Sequence, residues 1–335
     1  PGCSAVCAHS EAGCSLDTGT PMCRIFAILV ALALPTSTSA IAAAHVAAPS
    51  RRPPPSMLAA DDRWAAAREA GERTSQRTDL LARSLLAARA CSLAFVPPSA
   101  IRYEPYAKGL RCVAQIEDPA TLSGATVLET AAGEVVLACR GSASFKNFGT
   151  TTDIGPEPLL ANPMARVHRG FQRASEGMWP LLRPHLPATG GRLLVTGHSL
   201  GGGTATLLAL KCEAAGLTPE LITVAGPRLG DAAFASHYRE RCGEAVHLVH
   251  ERDEVLTSNT KLWDDLGFAH VGRVVRAEQK VERLYDDGSG EACLAAEGGG
   301  GPPSLQGILV DHCEYLGLYI GVRAEHPSVW LRPPW

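Results

Sequence analysis

The sequence predicts an α/β protein built on a central, mostly parallel sheet flanked by helices, and three observations carry that prediction. Short apolar runs at 193–196, 221–225 and 246–249 alternate with helical stretches, the pattern of parallel strands joined by crossover helices. Ahead of them, β-like runs at 111–116, 126–129 and 135–139 precede the alternation; the last two flank a turn containing Gly133 and form an antiparallel entry into the sheet. With 335 residues, 46% hydrophobic and only 19% charged, the chain can bury a core of the size such a sheet needs.

The elements follow in order. Residues 61–93, rich in Ala, Leu and Arg, read as one or two amphipathic helices ended by Pro97-Pro98. After the antiparallel runs come the three apolar strands, with a helix at 203–215, closed by Gly216, between the first two. A Gly/Pro-rich loop at 298–303 leads to a last helical stretch at 313–321. No internal repeat is visible, so one domain over 61–335 is expected behind a leader and linker over 1–60.

That leader reads as a targeting segment. Met22-Cys23-Arg24 is followed by an apolar run from Ile25 to Leu34, then Pro35 and small residues ending in Thr38-Ser39-Ala40, as in a signal peptide. Residues 22–60 hold no Asp or Glu but several Ser, Thr and Arg, so a plastid-like transit peptide fits nearly as well. The expected destination is secretion or an organelle. The apolar run is too short to span a bilayer, and no transmembrane segment is expected.

Composition excludes several function classes. A formal net charge of −3 without a sustained Lys/Arg run gives no electrostatic purchase on a phosphate backbone, so nucleic acid is not an expected partner. Of 11 Cys, Cys3, Cys7, Cys14 and Cys23 lie in the leader, which leaves an odd number in the domain and a free thiol at the least. No C-x-x-C pair occurs, and neither a structural metal nor a cofactor is expected.

Chemistry concentrates at Gly197-His198-Ser199-Leu200-Gly201, which stands between an expected strand and an expected helix. The bare G-x-S-x-G pattern is weak; its position is not. A sharp strand-to-helix turn forces Ser199 into a strained conformation, and only glycine at 197 and 201 lets the flanking backbone pass. The helix that follows turns backbone N–H groups toward the serine oxygen, and the N–H of Leu200 is the first of them. A serine hydroxyl is a poor nucleophile until an imidazole takes its proton, and a carboxylate must hold that imidazole in the right tautomer.

Five segments in order resemble the class 3 lipases, the fungal-lipase-like branch of the α/β-hydrolase fold. They are Arg140-Gly141-Ser142-Ala143-Ser144, Val167-His168-Arg169-Gly170-Phe171, the elbow itself, Ala225-Gly226-Pro227-Arg228-Leu229-Gly230, and Asp311-His312-Cys313-Glu314-Tyr315-Leu316-Gly317. The likeness runs from about Leu81 to Gly321 and implies hydrolysis of a lipid ester by a Ser-Asp-His triad, with lipid and water as partners. In that order Ser199 is the nucleophile and His312 the base, since His247 and His250 fall in or at the end of an apolar strand, His270 in another β-like run and His326 in the tail.

Asp253, a few residues past the strand at 246–249, is the expected acid. Asp264 and Asp265 read as a solvated pair beside Trp263, Asp286 and Asp287 as a hairpin turn, and Asp311 as a helix cap. The family often carries Pro after the D-x-V of this motif, where this chain has Leu256. The resemblance further implies an oxyanion hole from the backbone of Ser142 and Leu200. Phe145 and Phe148 are spaced to share one face of a lid helix in transient contact with lipid. A fixed flap or plain core packing accounts for the same spacing. Within this chemistry a triacylglycerol lipase leads, a phospholipase A1, galactolipase or feruloyl esterase stays open, and a lipase-like module without catalysis is the alternative of another class.

Overall fold

A computed structural model describes residues 78–141, 155–250, 252–257, 260–285 and 311–322. The leader and the boundary expected near residue 60 lie outside them, as do Ser142, Phe145, Phe148, Asp286 and Asp287. Four helices matter to the argument: α1 (78–93), α2 (Arg169–Leu182), α3 (Leu200–Ala214) and α4 (Ala232–Cys242). The strands are β1 (Leu110–Glu117), β2 (Gly124–Thr130), β3 (Val135–Cys139), β4 (Pro156–Leu159), β5 (Asn162–His168), β6 (Arg192–His198), β7 (Thr218–Val224), β8 (Val246–Val249), β9 (Arg273–Ala277), β10 (Leu284–Tyr285), β11 (Glu314–Tyr315) and β12 (Leu318–Tyr319).

The main sheet has eight strands in the order β1-β2-β3-β6-β7-β8-β9-β10. Its centre, from β3 to β9, is parallel, and β1, β2 and β10 add antiparallel edges. This is the parallel, helix-flanked sheet that the alternation predicts, in the α/β-hydrolase arrangement that the resemblance implies. Both faces are covered, which is why the central strands are mostly apolar and why Thr196, Thr223 and His247 within them are themselves buried. Leu194, Ile222, Val224 and Leu248 face a core shared with Ala87, Ala88 and Cys91 of α1. Leu193, Val195 and Leu221 point the other way, into a core built with Phe171 of α2, Leu208 of α3 and Phe234 of α4.

The expected runs at 135–139 and 246–249 are observed unchanged, and the hairpin between β2 and β3 turns on Gly133 at φ 80°. Elsewhere three expectations need correction. Pro97-Pro98 does not terminate α1, which stops at residue 93; Pro98 instead opens a separate one-turn helix, Pro98–Ile101. Proline there gives up an N–H that the first turn of a helix leaves unbonded anyway. The strand expected at 221–225 ends at Val224, because Ala225 turns to φ 52°.

The helix expected at 313–321 is the β11–β12 hairpin. Leu316 at φ 53° and Gly317 at φ 75° are two consecutive left-handed residues, and that geometry makes a tight hairpin turn and cannot continue a helix. The hairpin docks beyond β9 through Leu316 N–H to the Glu278 carbonyl at 2.8 Å and Gly317 N–H to the Gln279 carbonyl at 2.9 Å. A further antiparallel pair, β4–β5, lies apart from the main sheet. Among the described residues no helix is long and apolar enough to cross a membrane.

Candidate active site

Strand β6 delivers Ser199 directly onto α3, and Ser199 takes φ 55° and ψ −126° between them. That conformation costs a non-glycine residue about 1–3 kcal/mol and persists only where the surroundings enforce it. They do so by closeness. A Cβ on Gly197 would lie 2.2 Å from the Gly201 carbonyl oxygen, and one on Gly201 would lie 2.2 Å from that of Cys139, distances no real side chain tolerates. Ser199 N–H bonds to the Val224 carbonyl at 3.0 Å, and its own carbonyl takes the Gly202 N–H at 2.8 Å. The turn is thereby pinned to β7 and to the first turn of α3. Leu200 begins that helix, where a backbone N–H has no carbonyl four residues back to bond.

At the same carboxyl edge, β8 runs out toward Asp253, which is 0% exposed. Three donors converge on its carboxylate. His312 Nδ1 is 2.9 Å from Oδ1 and 3.0 Å from Oδ2, and the Tyr315 hydroxyl donates to Oδ2 at 2.7 Å. Leu256 N–H reaches Oδ1 at 3.3 Å. That last bond depends on the departure from the family pattern, because proline at 256 would have no N–H to give. Burial on its own pushes the Asp253 carboxyl up, but His312, Tyr315 and His250 outweigh it and hold it at about 2. Asp253 is therefore an anion at any working pH.

A carboxylate can only accept, so the ring proton of neutral His312 sits on Nδ1 and Nε2 keeps its lone pair. Nε2 is buried and has no hydrogen-bond partner among the described residues. Ser199 and His312 meet through their neighbourhood: His198 Nε2 lies 2.9 Å from the His312 carbonyl oxygen, and the two rings are 4.8 Å apart. No hydrogen bond joins the Ser199 hydroxyl to Nε2 among the described residues; in unliganded sites such bonds are commonly long. Chemically, the arrangement suits transfer of a hydroxyl proton onto an imidazole that a buried anion orients.

The segment with Ser142 leaves the described structure at Gly141, where a Cβ would stand 2.8 Å from the His198 carbonyl oxygen. Gly141 thus lies alongside the elbow, next to Arg140, whose backbone N–H bonds to the Gly124 carbonyl at 2.8 Å and whose guanidinium bonds to Glu117 at 2.6 Å. The rival carboxylates stand differently. Asp264 is exposed and paired with Arg228 at 2.6 Å. Asp311 does not cap a helix as expected: it is itself helical, and its carboxylate takes the Gln279 amide at 2.7 Å. Tyr315 was not anticipated, although its spacing three residues after His312 was available to reading. Among the described residues no three His, Cys, Asp or Glu side chains converge as metal ligands.

Burial also fixes a stability signature. Burial pushes the His198 imidazole down to about 3 and that of His247 down to about 4. Each ring takes up a proton in the unfolded chain below its ordinary pKa of about 6.5 but stays neutral in the fold, so the unfolded state binds more protons and stability falls as pH falls. The expected loss is about 1.4 kcal/mol per pH unit for each ring from pH 6 downward, and Asp253 adds its own loss only below about pH 4. Urea unfolding between pH 7.5 and 4.5 measures it; a flat profile overturns the assignment of two neutral buried imidazoles.

A strained serine elbow at the carboxyl end of a parallel sheet, with a buried carboxylate–imidazole pair at the same edge, is the arrangement of the α/β-hydrolase fold. Residues 136–261 match the family Lipase (class 3). The chain is 30% identical over 132 residues to secreted mono- and diacylglycerol lipase 1 of Fusarium solani, covering 38% of this chain and 40% of that protein. It is 32% identical over 133 residues to a lipase of Rhizomucor miehei, with 36% of each chain covered. The chain thus spans well under half the length of these relatives. Among solved structures, Rhizomucor miehei triacylglyceride lipase superposes with a TM-score of 0.56 at 20% identity over 74% of this chain and 97% of that one. Lipase II from Rhizopus niveus gives a TM-score of 0.56 at 20% identity, over 73% and 97%.

Proposed function

We propose that the chain is a serine-dependent carboxylic ester hydrolase that cleaves acylglycerols through an acyl-enzyme. The observation that carries this reading is the buried Asp253–His312 pair, its Nε2 without a partner among the described residues and its ring 4.8 Å from that of His198, the neighbour of the strained Ser199. In this reading Ser199 attacks the ester carbonyl while His312 takes its proton, and the Asp253 anion stabilises the imidazolium that forms. The backbone N–H groups of Leu200 and Ser142 receive the charge that develops on the carbonyl oxygen. His312 then returns the proton to the departing alcohol, and water, deprotonated by the same imidazole, releases the acid. The relatives support an acylglycerol substrate through their names, and the one named as secreted supports reading residues 22–40 as a signal peptide.

Hydrolysis of triacylglycerol, diacylglycerol, phospholipid and galactolipid emulsions, measured side by side, tests the substrate class. Acylglycerols are expected to turn over fastest. Labelling of Ser199 by a fluorophosphonate without acylglycerol hydrolysis would leave the serine chemistry standing and overturn the substrate.

A further inference from the structure

Two imidazoles outside the proposed triad bond to successive peptide carbonyls of the segment that carries His312. His250 Nε2 lies 2.8 Å from the Asp311 carbonyl oxygen, and His198 Nε2 lies 2.9 Å from that of His312 itself. They arrive from different elements, since His250 follows β8 and His198 ends β6, and both are buried, 3% exposed each. The backbone on either side of His312 Cα is therefore held at two points by two central strands of the sheet.

We infer that His198 and His250 are positioning residues, a pair of imidazole clamps that fix the backbone of His312 and so aim its ring between Asp253 and Ser199. This rests on the reading of His312 as the general base. A carbonyl oxygen only accepts, so each clamp must carry its ring proton on Nε2, the opposite tautomer to that of His312. The other nitrogens agree with this. His250 Nδ1 faces the Arg252 N–H at 3.2 Å and can only accept there, whereas His198 Nδ1 is buried without a partner among the described residues. Burial lowers the pKa of both rings, so each holds one ring proton and has a single N–H to give. Among the described residues the base's own side offers the helical residues 311–313 and the short β11–β12 hairpin, and the two imidazoles add holds from the sheet. The Gln279 amide on the Asp311 carboxylate holds a side chain and leaves the two carbonyls to the imidazoles.

Two conservative variants of the full-length chain separate this role from a merely structural one. Glutamine at 250 places an amide N–H near the site of Nε2 and lacks the Nδ1 acceptor; asparagine keeps an acceptor near Nδ1 for the Arg252 N–H and cannot reach the Asp311 carbonyl. Turnover of a soluble ester is read per site titrated with a fluorophosphonate, so that misfolded protein does not count. His250→Gln is expected to stay within about threefold of wild type, and His250→Asn to lose roughly tenfold to a hundredfold in kcat at unchanged KM, the range that a misplaced catalytic group costs. The reverse order would assign His250 to the Arg252 turn and overturn the clamp, as would two variants equal to wild type.

Should a variant not fold, the wild-type protein carries the test. Its ¹⁵N imidazole spectrum is expected to show Nε2–H tautomers at His198 and His250 and an Nδ1–H tautomer at His312, and an Nδ1–H tautomer at either clamp overturns the inference. A wild type that neither labels nor hydrolyses esters would instead overturn the hydrolase reading, and this role with it.

Discussion

Ser199→Ala is expected to lower ester turnover by about 10⁶, as loss of the nucleophile does in comparable triads, and to abolish fluorophosphonate labelling while the protein stays folded. The geometry makes the second half of that expectation strict. Alanine keeps the Cβ that already occupies φ 55°, so the strain of the elbow is unchanged and only a hydroxyl without a hydrogen-bond partner among the described residues is lost. No buried donor or acceptor is orphaned by the change, and the urea midpoint should move by less than about 0.5 kcal/mol equivalent. A small rise in stability is the more natural direction, since functional sites hold groups that are not optimised for folding. Labelling of Ser199→Ala at the wild-type rate would place the reactive hydroxyl elsewhere and end the proposed mechanism.

How far the site could be read in advance follows from which contacts are local. The elbow was legible because its constraint is local: glycines two residues before and two after the serine are demanded by backbone packing, and those requirements appear as a five-residue word. Strands β3 and β8 were legible because burial on both faces makes β3 an uninterrupted apolar run and leaves β8 with His247 as its one polar residue. The β4–β5 pair went unread because Pro156, Pro158 and Pro163 deny the usual strand signature, and an edge pair away from the main sheet tolerates them. The β11–β12 hairpin was misread because the residues from Cys313 onward also satisfy a helical period, and Leu316 is not a residue type that announces a left-handed turn. Contacts of His198 and His250 with the 311–312 backbone span 114 and 61 residues of chain, and no one-dimensional pattern encodes a carbonyl as a partner.

Asp253→Asn is the second large effect, and its size comes from a tautomer rather than from lost charge alone. In the native protein three donors, His312 Nδ1–H, Tyr315 O–H and Leu256 N–H, all point at an acceptor-only carboxylate. An asparagine has one oxygen for them. The Tyr315 hydroxyl, at 2.7 Å, and the backbone N–H of Leu256 compete for that oxygen, and in either outcome the amide NH₂ takes one of the two positions that face Nδ1, at 2.9 and 3.0 Å. The NH₂ bonds to His312 when the ring carries its proton on Nε2 instead of Nδ1, and that tautomer has no lone pair to take the serine proton. The same exchange in another triad drops kcat by about 10⁴ with little change in geometry, and that is the fall expected here.

Asp264→Asn is the matched control, because its carboxylate is exposed and pairs with Arg228 away from the imidazole, and it should stay within about twofold of wild type. Full activity in Asp253→Asn together with a large loss in Asp264→Asn would identify a different acid. Raising the pH offers an internal check on the mechanism. A wrong tautomer is a fixed property of the neutral ring, so the Asp253→Asn defect should persist at pH 9 for attack by the serine hydroxyl, and only hydroxide-driven hydrolysis should recover, in direct proportion to hydroxide concentration.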